Sequence, residues 1–160
     1  MQRKVLSSAI ALVIALTLTA CGPGFDAPTR NTRQLTDGID TEIKNGNTDI
    51  RIRNLVVVTQ PDGSAVLVGS IVNNGTVDDA LLRVTIGGVP ATITAANITM
   101  KQNDVLRFEG DSSNAKAVSE GLNLAAGTNT PVSLFFGAAG AANVNAVVRS
   151  ADGIYANITK

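Results

Sequence analysis

From Thr48 to the C-terminus, turn residues interrupt the chain about every ten residues, a spacing that constrains the fold more than any other feature. Gln60-Pro61-Asp62-Gly63-Ser64, Asn73-Asn74-Gly75-Thr76, Gly87-Gly88-Val89-Pro90, the stretch 110–116, Ala125-Ala126-Gly127-Thr128-Asn129 and Asp152-Gly153 supply the residues that reversals need. Between them lie short runs rich in Val, Ile and Leu. Ile50-Arg51-Ile52-Arg53 alternates apolar with polar, and Leu55-Val56-Val57-Val58 continues as a buried run, so the two together predict a strand. The runs 65–72, 80–86, 91–95 continued by 98–101, 105–109, 131–136, 143–149 and 154–158 predict further strands, with a short one at Gly121-Leu122-Asn123-Leu124. No helical period of useful length follows residue 22. Seven to nine short strands at this spacing predict an all-β chain: an antiparallel Greek-key β-sandwich of immunoglobulin-like or cupredoxin-like type over 48–160.

Two local expectations follow. Asn73-Asn74-Gly75-Thr76 predicts a tight hairpin between 65–72 and 80–86, because Asn-Gly accepts the positive φ that two-residue turns require. In the run 65–72, Val66, Val68, Ser70 and Val72 share one face, and Ala65, Leu67, Gly69 and Ile71 share the other. Both faces are small or apolar. The strand is therefore expected to be central, and an Asp at Val68 to abolish cooperative folding.

Composition excludes much chemistry. The chain has 160 residues, 44% of them apolar and 16% charged, which argues against disorder throughout. It contains no His and one Cys, so no His-based triad, no Cys/His zinc site and no intrachain disulfide can be assembled. Ser113-Asn114-Ala115-Lys116 fits S-x-x-K, but neither S-D-N nor K-T-G accompanies it. Asp78 and Asp79 are sequence neighbours and would point to opposite faces of a strand, or lie in a turn as solvated termini. Asp104, Glu109 and Asp111 are scattered. Asn45-x-Asn47-x-Asp49 begins like a calcium loop but has Ile50 and Val56 where that loop needs Gly and Glu. The expectation is no enzyme, no bound metal and no cofactor.

The first twenty residues have the layout of a secretory signal. Arg3 and Lys4 precede an apolar core, small residues follow, and no charge appears until Asp26. A spanning helix over 5–25 is opposed by the Ser and Thr content and by Gly22-Pro23-Gly24. Leu18-Thr19-Ala20-Cys21 resembles the lipobox of bacterial lipoproteins. The resemblance implies a signal peptide at 1–20, cleavage before Cys21, and acylation there by membrane lipid, enough chains for stable anchoring. Residues 21–47 would then be the anchored Cys and a flexible tether, with few apolar residues; the part around 36–43 is open to an edge strand or a helical turn. Loss of Arg3 and Lys4 leaves 11 basic against 13 acidic residues, so there is no nucleic-acid footprint.

Two stretches carry a wider resemblance. One runs from Ile50-Arg-Ile-Arg-Asn-Leu-Val-Val-Val-Thr59 through Asp62-Gly-Ser-Ala-Val-Leu-Val-Gly-Ser-Ile-Val-Asn-Asn-Gly75. The other comprises Gly121-Leu122, Ala126-Gly127, Pro131-Val-Ser-Leu-Phe-Phe136 and Ala139-Gly140. Together they resemble the LpqE-like lipoproteins of actinobacteria, which are similar to the periplasmic PCuAC-type copper chaperones with a cupredoxin-like sandwich. The chaperones hold Cu(I) with His and Met, donors suited to that ion. Here every His is gone, Leu122-Asn123-Leu124 stands where a His-x-Met element is expected, and Met100 is expected to fill the core or its rim. The resemblance thus implies a membrane-anchored, extracytoplasmic and non-catalytic interaction module, an accessory to a membrane protein complex such as a respiratory one. A degenerate carrier of metal or small ligand is the alternative.

Overall fold

The computed structural model describes residues 37–110 and 112–160. Cys21, the signal region and the tether as far as residue 36 lie outside the described residues. Eleven strands follow in order: β1 (Ile39–Asn45), β2 (Thr48–Thr59), β3 (Ala65–Asn73), β4 (Asp79–Ile86), β5 (Val89–Pro90), β6 (Thr92–Ala95), β7 (Thr99–Met100), β8 (Val105–Arg107), β9 (Ala115–Ser119), β10 (Asn129–Phe136) and β11 (Ala141–Ser150). A 3₁₀ turn, Gly153–Tyr155, follows β11, and no α-helix occurs among the described residues.

The strands form one continuous hydrogen-bonded path, β5-β4-β10-β11-β2-β3-β9-β6, that folds over on itself as a barrel-like sandwich. The turning point is β11. Ala141–Val147 pairs antiparallel with β10, while Val148–Ser150 pairs with Val57–Thr59 of β2, the one parallel pairing among the described strands. A strand that changes sheets is how orthogonal layers make a corner. Edges are filled in tandem: β1 covers β2 along 48–55 before β11 takes over, and β8 and β9 share the far edge of β3. Between the layers lies the main core, with Ile50, Ile52, Leu67, Ile71, Phe108 and Leu134 fully buried.

The all-β sandwich expectation holds, and several local ones do not. No hairpin joins β3 to β4. The connection crosses from one layer to the other, because β4 pairs with β10, β5 and β7. Gly75 has no positive φ. It is required for close approach instead, since a Cβ there would lie 2.5 Å from Asn47 O and 2.8 Å from Asp49 N. The Asn-Gly hairpin is at the other such dipeptide, Asn45-Gly46. There Asn45 pairs with Thr48, and Gly46 at φ 55° supplies the positive φ of the first turn position. So the stretch assigned to the tether carries strand β1, whose Ile39 and Ile43 pack on the main core. Among the described residues the sheet begins with Ile39, ahead of Thr48.

Gly121–Leu124 is not a strand. Asn123 sits at φ 47°, which breaks extension, and its N–H donates to Gly63 O at 2.9 Å. The stretch 110–116 is not all loop, since β9 begins at Ala115. The final 154–158 run is not a strand either: Gly153 at φ 52° starts a 3₁₀ turn, in which residues three apart come to one side. Tyr155 and Ile158 thereby cover Val56, Val58 and Val68 in a second, smaller apolar cluster on the outer face of the sheet. Gly75→Val is expected to cost about 2–3 kcal/mol, the scale of forced overpacking, and urea unfolding checks it. A cost below about 0.5 kcal/mol would show that the crossover yields freely.

Candidate functional site

Met100 is the only methionine after the signal region, and it is 1% exposed. It lies on β7 opposite Asp79, with its side chain in the main core, as a core filler. Leu122 and Leu124 are half-buried against that core, and Asn123 between them is exposed. Among the described residues no three His, Cys, Asp or Glu side chains converge to hold a metal ion. The sequence has no His, and its one Cys, Cys21, lies outside the described residues.

The carboxylates have structural work. Asp79 is buried, not a solvated terminus: the crossover brings it under the β10–β11 turn. There Oδ1 accepts from the Ala80 and Ala138 N–H groups (2.7 and 2.8 Å), and Oδ2 from Ala139 N–H (2.8 Å). Asp78 is exposed. Asp49 takes a two-pronged bond from Arg51 at 3.1 Å for each prong, and that guanidinium holds its carboxyl below the usual range. Asp104 Oδ2 caps the Lys101 N–H at 2.9 Å. Asp111 lies outside the described residues. Ser113 is exposed, with its N–H bonded to Gly110 O, and Lys116 is on β9, with no helix to present them together.

One polar cleft has chemistry that sequence reading did not single out. Asn54, at φ 53°, makes a bulge in β2 between Arg53 and Val56, opposite Gly69 of β3. The bulge leaves a cleft of about 240 Å3 lined by Arg53, Asn54, Ser70, Arg107 and Glu109 among others. Arg53 is shared with Asp40 at 3.6 Å and Glu42 at 3.8 Å. Glu109 Oε1 is buried without a hydrogen-bond partner, and burial pushes that carboxyl above its ordinary range. The cleft offers two guanidiniums and one carboxyl, suited to polar binding. Arg53 and Arg107 are far apart in sequence and meet only because β8 pairs with β3. Asn-Leu following an alternating Arg run was the sole local hint of a bulge.

No family model matches the chain, and no curated protein matches it. Solved structures do. The copper-bound PCuAC domain from PmoF2 superposes with a TM-score of 0.55 at 18% identity, over 69% of this chain and 98% of that domain. The apo PCuAC domain from PmoF1 gives 0.54 at 19% identity, over 69% and 99%. The apo PmoF2 domain gives 0.54 at 19%, over 71% and 98%. The chain therefore has the copper-chaperone-like fold of PCuAC domains.

Proposed function

We propose that this chain is a lipid-anchored, extracytoplasmic interaction module of the LpqE-like kind, non-catalytic, held by acylated Cys21 and serving a membrane protein complex such as a respiratory one. The observation that carries the reading is the burial of Met100: a PCuAC-like fold without His, whose one remaining thioether is sealed in the core, keeps the scaffold without the donors for copper. What is left for the scaffold is surface. Pull-down from gently solubilised membranes is expected to bring a membrane complex with it, and recovery of the lipoprotein alone would count against the module reading. The small-ligand carrier is the second reading, favoured by the cleft at the β2 bulge.

Two expected results test the parts separately. Cys21→Ala should leave the chain unprocessed or release it from the membrane; a processed form that stays attached means a different anchor. The same Cys21→Ala chain, which lacks the one thiol, should form no Cu(I) complex in competition with a chelator. A tight stoichiometric complex would restore the carrier function.

A further inference from the structure

Ile154 is the most exposed large apolar side chain among the described residues, at 82%. It does not sit on a loose end. Asp152 N–H donates to Ser150 O at 2.9 Å, Tyr155 N–H to Asp152 O at 2.8 Å, and Ile158 N–H to Tyr155 O at 3.0 Å. Gln60 Nε2 donates to Ile158 O at 3.0 Å, and Lys160 pairs with Asp62. Tyr155 and Ile158 pack down on the small cluster of Val56, Val58 and Val68. The turn is thus fixed on the sheet with Tyr155 inward and Ile154 held out to solvent.

The place of this turn gives it a meaning. Tyr155 OH donates to Asp37 Oδ2 at 3.4 Å, and Arg149 pairs with Asp37 Oδ1 at 3.2 Å. Asp37 lies two residues before β1 and only sixteen residues after Cys21. Sixteen residues reach about 55 Å at full extension, and any shorter path brings the Asp37 pole nearer the anchor. A short link also raises the effective concentration of that pole at the surface it is tied to, so a contact too weak to bind alone can form. The charges around the turn are Asp37, Asp152, Asp62 and Glu120 against Arg149 and Lys160, more acidic than basic. Attraction to anionic headgroups is therefore not the driving term, and the apolar tip is.

We infer that the Gly153–Tyr155 turn is a membrane-contacting tip: Ile154 enters the interfacial region of the lipid surface to which Cys21 is attached, and so sets which side of the domain faces away from the membrane. The inference rests on the lipid-anchor reading. It commits to lipid, not to a protein partner, as the occupant of the tip.

The chain has no Trp, so one introduced Trp is a clean reporter. The lipidated full chain carrying Ile154→Trp is reconstituted in phosphatidylcholine vesicles containing brominated lipid, and Leu82→Trp, at a site 60% exposed on the opposite layer, serves as the comparison. The expected result is a blue-shifted, bromine-quenched emission from residue 154, unchanged by added salt or by phosphatidylglycerol, and an unquenched, water-exposed emission from residue 82. An unquenched residue 154 on chains that float with the vesicles overturns the tip while leaving the anchor intact. Equal quenching at both sites, or quenching at residue 82 alone, also overturns it. Chains that do not float sink the anchor reading, and the tip with it.

Discussion

Asn73→Ala is expected to lower the unfolding free energy by about 3–5 kcal/mol, from the loss of three side-chain hydrogen bonds and the exposure of their partners without replacement. Asn73 is fully buried at the end of β3. Its Nδ2 donates to Val77 O at 2.8 Å and Met100 O at 2.9 Å, and its Oδ1 accepts from Gly75 N–H at 3.0 Å. Its own backbone is bonded too, N–H to Asp104 O at 3.1 Å and C=O from Asn103 N–H at 2.7 Å. One amide thus fixes the layer crossover and the β7 strand together. Asn73→Asp separates hydrogen bonding from shape. It keeps the acceptor but sets a second oxygen against two carbonyls, so it should be at least as damaging at pH 7. Lowering the pH toward 4 should recover part of the loss, because the protonated acid can donate one bond again. Urea unfolding at both pH values decides it. A loss under about 1 kcal/mol for Asn73→Ala would mean that water replaces the amide.

Leu67→Asp should abolish cooperative unfolding, while Val68→Asp should fold with a loss of about 2–3 kcal/mol. Leu67 is fully buried in the main core, where a carboxylate has no partner and no route to water. Val68 faces the other way, is 9% exposed, and lines the cleft that holds Arg53 and Arg107. A carboxylate there can tilt toward the guanidiniums. The sequence-based expectation that a charge at Val68 destroys folding therefore moves to its neighbour. Circular dichroism across a urea titration reads both variants. Equal collapse of the two would show that the cleft does not accept the charge. A nearly unperturbed Leu67→Asp would reverse the facing of β3.

The strands that were legible are those whose signal is local and strong. β2 and β3 are Val/Ile runs joined by Pro61-Asp62-Gly63, and the turn sets the register Thr59 opposite Ala65. β10 and β11 were readable for the same reason. β9 was lost because Ala115-Lys116-Ala117-Val118-Ser119 alternates with alanine, too small to stand out, although Ala117 is fully buried. β1 stayed open between an edge strand and a helical turn because its Ile39 and Ile43 are the only large apolar groups in a polar stretch. Their burial is decided by β2 beside them, not by their own run. The choice between the two Asn-Gly dipeptides could not be made locally, since both satisfy the same turn chemistry and only the partner of the following strand distinguishes them. That Met100 fills the core was read correctly from the lack of companion donors. The cleft at the bulge was out of reach, because its two arginines become neighbours only through β3 pairing with β8.

The double allegiance of β11 also makes it the clasp that holds the two layers in one strand path. Val148 lies opposite Val57 in one layer, while Val144 faces Val132 in the other. Along the hydrogen-bonded strand path, β11 is what joins β10 of one layer to β2 of the other. Closing such distant pairings makes folding slow compared with chains of local contacts.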